Sequence, residues 1–368
     1  MHQRLEVRSL TGLRAVAALF VFFFHIQIRW PFAHSDFLAN LIGQGAIGMS
    51  VFFVLSGFVL AYQYSERAIS YREYLGNRVA RIYPIYALSA VLTLPWIGIN
   101  LHDGAFLRGA GQLVTLVLAN VFVIQAWFPQ FFPLWNDGAS WSISVEAFCY
   151  VLLPLILAGL YKIKGHHLYV VMVSAYAAAV LPGLTFLLFD NSPSIFYSMP
   201  IFRLAEFVLG VCVCIVARRG SAPRSTTAIV AAALVVGLIV YLGTQSPVGS
   251  LYVTHNWLVL PAVAMAIYFL SKSNGVVATL MGSDVVVWLG KISYCIYSLQ
   301  ALIILPLIHH HDQIVSMWPA LVDNRVLLLV SLALLIAASA AAHHLIEEPI
   351  RLRMRGMAKR AAIRFETP

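Results

Sequence analysis

An arginine and a histidine lie inside the first long apolar run of the chain, where charged groups are expensive to bury. Arg14 and His25 are eleven residues apart. On a helix they therefore project from one face within about 20° and lie about 16 Å apart along the axis. An imidazole can accept a proton near neutral pH, and a guanidinium can hold an anion bidentately. The pair predicts acid–base chemistry beside an anion site; the alternative is that Arg14 snorkels to headgroups and a carbonyl caps His25.

A carboxylate follows three serines in the segment Ser140-Trp-Ser-Ile-Ser-Val-Glu146. Ser142 and Glu146 are at i,i+4 and share one helical face. The Glu146 carboxylate can orient an imidazole or pair with an arginine. The alternative is an interfacial carboxylate at a helix N-terminus, where the helix dipole favours negative charge.

Two arginines, Arg78 and Arg81, form an R-x-x-R motif that is followed by Ile-Tyr-Pro84. Their i,i+3 spacing places both guanidinium groups on one face at the cytoplasmic mouth of a predicted span. Two arginines in such a position can clamp a phosphate. The alternative is that they only anchor the topology, as basic residues beside a span do.

Other polar groups in the apolar runs favour structural roles. Arg203 and Glu206 share a helical face, and we interpret them as an intramembrane ion pair. Consecutive histidines in 309–312 and 343–344 do not converge on one ion when they are helical, so we predict no metal site. The four cysteines lie in apolar runs and are interpreted as small core residues: Cys149, Cys212, Cys214 and Cys295.

Membrane helices must position all of these residues. Of the 368 residues, 61% are hydrophobic and 11% charged, whereas soluble domains average about 45–50% and about 25%. Apolar runs long enough to cross a ~30 Å hydrocarbon layer recur along the chain, and the alternation of a barrel is absent. The predicted fold class is therefore all-α, a polytopic transmembrane helical bundle. Ten spans are expected at about 10–29, 45–64, 79–99, 141–161, 168–188, 199–217, 227–243, 255–271, 285–308 and 325–346.

The basic residues set the predicted topology. The net charge is +9, but the basic residues lie largely in short loops, which favours the positive-inside rule over nucleic-acid binding. Keeping those loops inside requires an even number of crossings, with both termini cytoplasmic. A further apolar stretch at about 112–128 would break that parity. We therefore predict an external-side excursion over about 100–140 that is interfacial or re-entrant, with Trp-rich flanks; the alternative is a true eleventh span and a reversed later half.

The organisation expected from this pattern is one integral membrane domain over residues 1–350 and a basic cytoplasmic tail over 351–368. The first apolar run carries two ionisable residues and lacks a small-residue cleavage site. It is therefore expected to stay in place and not to be removed as a signal peptide.

In their order along the chain, these motifs resemble those of the acyltransferase-3 family of integral membrane acyltransferases, from about Leu10 to Arg351. Arg14-x10-His25 is similar to the family's basic-x10-His signature. Gln300 stands where the family often has a histidine, which puts any second-histidine role in doubt because an amide does not accept protons. The other matching segments are 50–58, 77–84, 140–146, Arg203-x-x-Glu206 with Gly210, 290–297 and Glu347-Glu-Pro349.

The resemblance implies transfer of an acyl group, commonly acetyl, from cytoplasmic acyl-CoA to a hydroxyl on a carbohydrate or another acceptor in the bacterial cytoplasmic (inner) membrane. Such acceptors include O-antigen, exopolysaccharide, lipo-oligosaccharides and macrolides. Acyl-CoA is then a co-substrate, and no permanently bound cofactor is expected. We also expect a stand-alone enzyme, without the fused hydrolase-like domain that some members carry.

This chemistry assigns hypothetical roles to the singled-out residues. His25 is the predicted base for the acceptor hydroxyl, while Arg14, Arg78 and Arg81 hold CoA phosphates or pantetheine carbonyls. Glu146 orients His25 or pairs with Arg14, and Ser142 contributes polar lining on the donor side. An alternative function is a secondary transporter or flippase for an acyl or sugar substrate, which also buries charged residues but often shows two related halves.

Overall fold

The computed structural model describes residues 6–65, 70–97, 99, 106–132, 134, 140–189, 195–220, 225–245, 252–273 and 275–354. Within these ranges the regular structure is helical, without strands. Eight helical stretches of the described chain are long and apolar enough to cross a membrane. The prediction of an all-α, polytopic transmembrane fold is therefore confirmed.

Fifteen α-helices are described, and several are joined by short 3-10 turns. They are α1 (Arg8–Gln27), α2 (Asp36–Gly43), α3 (Gly48–Tyr64), α4 (Tyr71–Leu92), α5 (Phe106–Val121), α6 (Trp141–Leu160), α7 (His167–Phe189), α8 (Ile195–Ser198), α9 (Pro200–Arg219), α10 (Ser225–Thr244), α11 (Asn256–Lys272), α12 (Val276–Met281), α13 (Asp284–Leu299), α14 (Ala301–Met317) and α15 (Asn324–Ala342). A π-helical turn, His343–Glu347, continues α15.

Each predicted span contains a helix, but some boundaries differ. Helix α4 begins at Tyr71, well before the predicted start at 79, because the Ser70 side chain accepts a hydrogen bond from the backbone N–H of Glu73. Ser and Glu at this spacing form the capping box that starts helices. The first half of α4 is therefore charged, and α4 is not among the eight described stretches that are long and apolar enough to cross a membrane.

The predicted excursion over 100–140 contains a helix that starts earlier than expected. Helix α5 spans Phe106–Val121 and is followed by the 3-10 turns Gln125–Trp127 and Pro129–Phe131. At 1.5 Å per residue, α5 is about 24 Å long, less than the ~30 Å hydrocarbon layer. Since α11 is similarly short, which of these two helices crosses stays a prediction. Trp141 is 5% exposed and packs on Phe132, so protein contacts surround it, not the headgroups expected for an interfacial tryptophan.

The chain divides into two compact units. Whether residues 1–350 form a single domain stays a prediction. The first unit contains residues 1–67, 152–197 and 201–294, and the second contains residues 68–151, 198–200 and 295–368. In the first unit, α1 packs on α3, α11 and α12, and α10 packs on α11 and α2. In the second unit, α4 packs on α14 and on the π-helical turn.

Candidate active site

The first predicted pair lies on one uninterrupted helix of the first unit. Arg14 and His25 both lie within α1, Arg8–Gln27. Their side chains therefore project from one face of the helix, as the spacing of eleven residues predicts. Both side chains are half-buried. In the part of the chain that the structure describes, Arg14 has no hydrogen bond and no ion pair. A half-buried guanidinium in a membrane helix is thus left available for an anion.

Arg29, one turn beyond His25, contacts the imidazole. Its Nη1 lies 3.3 Å from Nδ1 of His25 and donates to the His25 carbonyl oxygen at 3.1 Å. A guanidinium nitrogen can only donate, so Nδ1 of His25 is the acceptor and Nε2 carries the hydrogen in the neutral ring. The sequence analysis missed Arg29, although its position four residues after His25 was a readable signal.

Arg81 in the second unit pairs with a carboxylate that the sequence did not single out as a site residue. It forms an ion pair with Glu347, whose side chain is 0% exposed. Glu347 also accepts hydrogen bonds from His343 Nδ1 at 2.8 Å and from Cys295 Sγ at 3.3 Å. Three donors converge on one buried carboxylate, which offsets the cost of removing it from water. We call these four residues the Glu347 cluster.

The Glu347 cluster also has the spacing of a metal-ligand set. Single ligand atoms of Cys295, His343 and Glu347 lie within 4.8 Å of one another. The positive charge of Arg81 on the same carboxylate disfavours binding of a metal cation there. The contacts of His343 and Cys295 with Glu347 are already explained as hydrogen bonds. The prediction of no metal therefore stays a prediction. Cys295 itself is a buried free thiol, as are the other three cysteines, which confirms their interpretation as core residues.

The two arginines of the R-x-x-R motif have different surroundings. The Arg78 guanidinium lies over the ring of Tyr150 at 5.9 Å from the centroid, whereas Arg81 is held by Glu347. A cation over an aromatic face keeps its donors for other partners. In the structure Arg78 contacts Tyr150 and Arg81 contacts Glu347. That the two arginines together bind a phosphate stays a prediction.

The Ser140–Glu146 segment forms the start of α6 in the second unit. The Ser142 hydroxyl donates to the Tyr297 hydroxyl at 2.7 Å, and Glu146 accepts from the Tyr150 hydroxyl at 2.7 Å. The first bond joins two motifs that are far apart in sequence. Whether Glu146 orients His25 or pairs with Arg14 stays a prediction.

Arg203 and Glu206 form the buried ion pair that their spacing predicts. Arg203 Nη1 lies 2.9 Å from Glu206 Oε1, and both side chains are at most 2% exposed. Asn256 donates to the same carboxylate oxygen at 3.0 Å, and Arg203 donates to the Ser50 hydroxyl at 3.2 Å. The structural interpretation is confirmed.

Gln300, which replaces the family histidine, lies between α13 and α14 and is 1% exposed. Neither Oε1 nor Nε2 of its amide has a hydrogen-bond partner among the described residues. A buried amide without partners is costly. Such a group is expected where a substrate or a water molecule completes the bonding.

The helical spans carry buried or half-buried arginine, histidine and glutamate side chains, and the comparison with known proteins shows which class of protein they belong to. The acyltransferase-3 family model, described as an acyltransferase domain, matches residues 7–344. The protein therefore belongs to this acyltransferase family. That membership decides for an enzyme over a transporter.

Three relatives illustrate the range of the family. Acyltransferase MdmB of Streptomyces mycarofaciens is 27% identical over 321 residues, which cover 80% of this chain and 78% of that protein. Exopolysaccharide production protein ExoZ of Rhizobium meliloti is 26% identical over 174 residues, 46% of this chain and 50% of that protein. O-acetyltransferase OatA of Staphylococcus aureus is 23% identical over 207 residues, 50% of this chain and 30% of that protein. No solved structure matches the chain.

Proposed function

We propose that the protein is a membrane O-acyltransferase that moves an acyl group, in the simplest case acetyl, from acyl-CoA to a hydroxyl of a carbohydrate. The names of two relatives support this choice, because one is an exopolysaccharide production protein and one is an O-acetyltransferase. The carbohydrate is an O-antigen, exopolysaccharide or lipo-oligosaccharide type of glycan. Acyl-CoA enters as a co-substrate and leaves as the thiol CoA.

The observation that carries the proposal is the lack of any hydrogen-bond or ion-pair partner for Arg14 in the described chain. A charge inside a membrane helix is costly, about 2.5–3.5 kcal/mol at the helix centre on insertion scales, and Arg14, in the first half of α1, bears part of this cost. A residue that bears this cost without an internal partner is suited to a ligand. CoA carries phosphates, and a guanidinium binds phosphate with two parallel hydrogen bonds.

His25 is proposed as the base that takes the proton of the acceptor hydroxyl. Its lone pair is on Nδ1, where Arg29 donates. The acceptor hydroxyl must therefore replace Arg29 at Nδ1 before the proton can move. The alkoxide that forms attacks the thioester carbonyl, the carbon–sulfur bond breaks, and the CoA thiolate takes up a proton.

The second unit supplies further proposed donor contacts. Arg81 in its ion pair with Glu347 and Arg78 over Tyr150 are proposed to bind CoA phosphates. Ser142, bonded to Tyr297, is proposed as polar lining. Glu146, which accepts from Tyr150, keeps its proposed role as a partner of His25 or Arg14.

The proposed location is the bacterial cytoplasmic membrane, with both termini in the cytoplasm. This orientation places the basic loops on the inside, as the positive-inside rule expects. It also places the Arg14 end of α1 on the side where acyl-CoA is made, with His25 deeper in the membrane. An acceptor glycan then approaches from the opposite face.

The test uses purified protein in detergent with acetyl-CoA labelled in the acetyl group and a surface-glycan acceptor fraction. We expect labelled glycan from the wild type and none from His25→Ala. Arg14→Lys keeps the charge but loses the fork, so we expect a higher KM for acetyl-CoA, while the exposed Arg325→Ala serves as the matched control. Full activity of His25→Ala, or an unchanged KM in Arg14→Lys, would contradict the assigned roles.

A further inference from the structure

A group of basic side chains surrounds the loop between α6 and α7 in the first unit. Four of them lie in this loop or begin α7, and two end the neighbouring helices α9 and α11. All but the last of the six are exposed. We call these six residues the basic patch: Lys162, Lys164, His166, His167, Arg219 and Lys272.

Hydrogen bonds hold the parts of the basic patch together. Arg219 donates from Nη1 to the carbonyl oxygen of Ile163 at 2.8 Å and from Nη2 to that of Tyr161 at 3.1 Å. Lys272 donates from Nζ to the carbonyl oxygen of Gly220 at 3.0 Å. The loop is thus tied to the end of α9, and the end of α9 is tied to the end of α11. The basic groups therefore lie together at one end of the first unit.

The positive charge of the basic patch is not balanced by carboxylates. Within the described chain no residue of the patch forms an ion pair, and the oxygens that its two helix-end members contact are neutral carbonyls. Two other basic residues of the first unit differ in this respect, because Arg8 faces Asp284 and Lys291 faces Glu6. A cluster of uncompensated positive charge attracts an anion.

An exposed apolar surface begins directly beside the basic patch. Tyr169, Val170 and Val173 in the first turns of α7 are 53%, 57% and 61% exposed. Spacings of three and four residues place them on one face of the helix. Since α7 is long and apolar enough to cross a membrane, this face is suited to contact lipid tails, and tyrosine is enriched at the level of the headgroups. The patch therefore lies where a lipid headgroup meets its acyl chains.

We propose that the basic patch binds the headgroup of an anionic phospholipid, whose acyl chains lie along the exposed face of α7. Lysine and arginine form charge-assisted hydrogen bonds with phosphate oxygens, and basic pockets between membrane helices bind anionic headgroups. Basic loops also anchor topology without selecting a lipid, but here the loop is tied to two other helices and its charges are unpaired. The phosphates of CoA have the same charge but no acyl chains to cover the apolar face, so the juxtaposition favours the lipid.

The test places a fluorescent reporter beside the basic patch. Tyr169→Trp adds an indole at an exposed position, and the quenching that it adds to that of the unmodified protein reports the lipids that contact this position. The protein is reconstituted in nanodiscs that contain phosphatidylglycerol or phosphatidylcholine with brominated acyl chains, which quench indole fluorescence on contact. Phosphatidylcholine is the control lipid, because its headgroup carries a phosphate but no net charge.

Two double variants in the reporter background separate the patch from the overall charge. Lys162→Gln/Lys164→Gln removes two positive charges from the patch. Arg8→Gln/Lys291→Gln is the matched control, because it removes the same charge from the same unit at residues that already face carboxylates. The side chains of Arg8 and Lys291 are also exposed, at 49% and 51%, so both double variants are surface substitutions.

We expect phosphatidylglycerol to quench the reporter more strongly than phosphatidylcholine, both in the reporter alone and in the matched control. Lys162→Gln/Lys164→Gln should lower the preference for phosphatidylglycerol at least about tenfold, because each basic residue near an anionic membrane surface contributes about fivefold. Equal quenching by the two lipids, an unchanged preference in the patch variant, or the same loss in the matched control would overturn the proposal.

Two further measurements separate a lipid from a soluble anion and check the reporter. CoA or inorganic phosphate, added at constant ionic strength, should not displace brominated phosphatidylglycerol; displacement would assign the patch to a soluble phosphate and contradict the proposal. Native mass spectrometry without the reporter should show fewer retained phosphatidylglycerol molecules in the patch variant than in the matched control, and equal numbers would also contradict it. None of these measurements involves acyl transfer, so their outcome is independent of the proposed reaction.

Discussion

Gly57 of α3 and Gly210 of α9 mark a close helix crossing in the first unit. A Cβ on Gly57 would strike the carbonyl oxygen of Phe207, and a Cβ on Gly210 would strike that of Val54. Small residues let the backbones of two membrane helices approach this closely. Such packing matters in a membrane because the lipid supplies no hydrophobic driving force for helix association. Both glycines fall in motifs that the sequence shares with its family, so part of that pattern is explained by packing alone.

The crossing predicts that Gly57→Ala or Gly210→Ala destabilises the protein. The added methyl group meets backbone atoms that cannot move aside, and overpacking costs about 1–3 kcal/mol. Thermal unfolding in detergent measures the effect. Gly237→Ala in α10 is the matched control, since nothing lies within 4 Å of a Cβ there. Equal unfolding temperatures for all three variants would contradict the close crossing.

The ion pair between Arg81 and Glu347 predicts strong coupling between these residues. Removing one partner of a buried pair leaves an uncompensated charge and costs about 3–5 kcal/mol. We expect Glu347→Gln and Arg81→Gln to be destabilised singly and the double variant to be less destabilised than their sum, with a coupling of about 0.5–3 kcal/mol. A cycle of unfolding free energies gives this coupling.

The exposed pair of Arg8 and Asp284 supplies the reference for that cycle. Their side chains are 49% and 96% exposed, and surface ion pairs are worth about 0–1 kcal/mol. Asp284→Asn should therefore change the unfolding free energy little. A Glu347→Gln variant as stable as Asp284→Asn would show that the buried pair does not support the fold.

The contact from Arg29 predicts the tautomer of His25. In neutral His25 the hydrogen should reside on Nε2, because Nδ1 accepts from the guanidinium. Nitrogen-15 NMR of histidine-labelled protein measures the tautomer, and His25→Gln identifies the signal by its loss. We expect a mixture of tautomers in Arg29→Ala. A wild-type ring with its hydrogen on Nδ1 would contradict the arrangement.

The unpartnered amide of Gln300 predicts an unusual gain in stability. Gln300→Leu removes two buried polar atoms that lack partners, which relieves a desolvation penalty of about 1–3 kcal/mol. The unfolding temperature should rise. A loss of acetyl transfer in this more stable variant would indicate that the amide binds substrate.

Gln44 offers the matched comparison for this prediction. It is also fully buried, and its Oε1 likewise has no partner among the described residues, but its Nε2 donates to the carbonyl oxygens of Leu242 and Gln245 at 2.9 and 3.1 Å. Gln44→Leu leaves those oxygens unpaired, so its unfolding temperature should fall. The two glutamines must shift stability in opposite directions; a fall in both would contradict the interpretation of Gln300.

Local patterns in the sequence predicted those features that depend on near neighbours. The span positions follow from runs of apolar residues, and the Arg203–Glu206 pair follows from a spacing of three residues on one helix. The start of α4 was predicted too late, because the span was placed from its apolar residues alone. Ser70 and Glu73, three residues apart, carry the capping signal that gives the true start. Arg29 beside His25 was also within reach of the sequence.

Contacts over long separations could not be predicted in the same way. Arg81 and Glu347 are 266 residues apart, and their pairing depends on how α4 packs on the end of α15. Glu347 entered the sequence analysis only as part of the Glu347-Glu-Pro349 motif, whereas it is the centre of a buried cluster.

The π-helical turn over His343–Glu347 has a consequence for the length of this part of the chain. An α-helix rotates by about 100° per residue, and a π turn accommodates one more residue in the same rise. Deleting a single residue between His343 and Glu347 would change the spacing of these two hydrogen-bonded residues from four to three and alter the geometry of the Glu347 cluster. We therefore expect insertions and deletions to be tolerated better in the surrounding loops than in this turn, because the number of residues in the turn sets how His343 and Glu347 face each other.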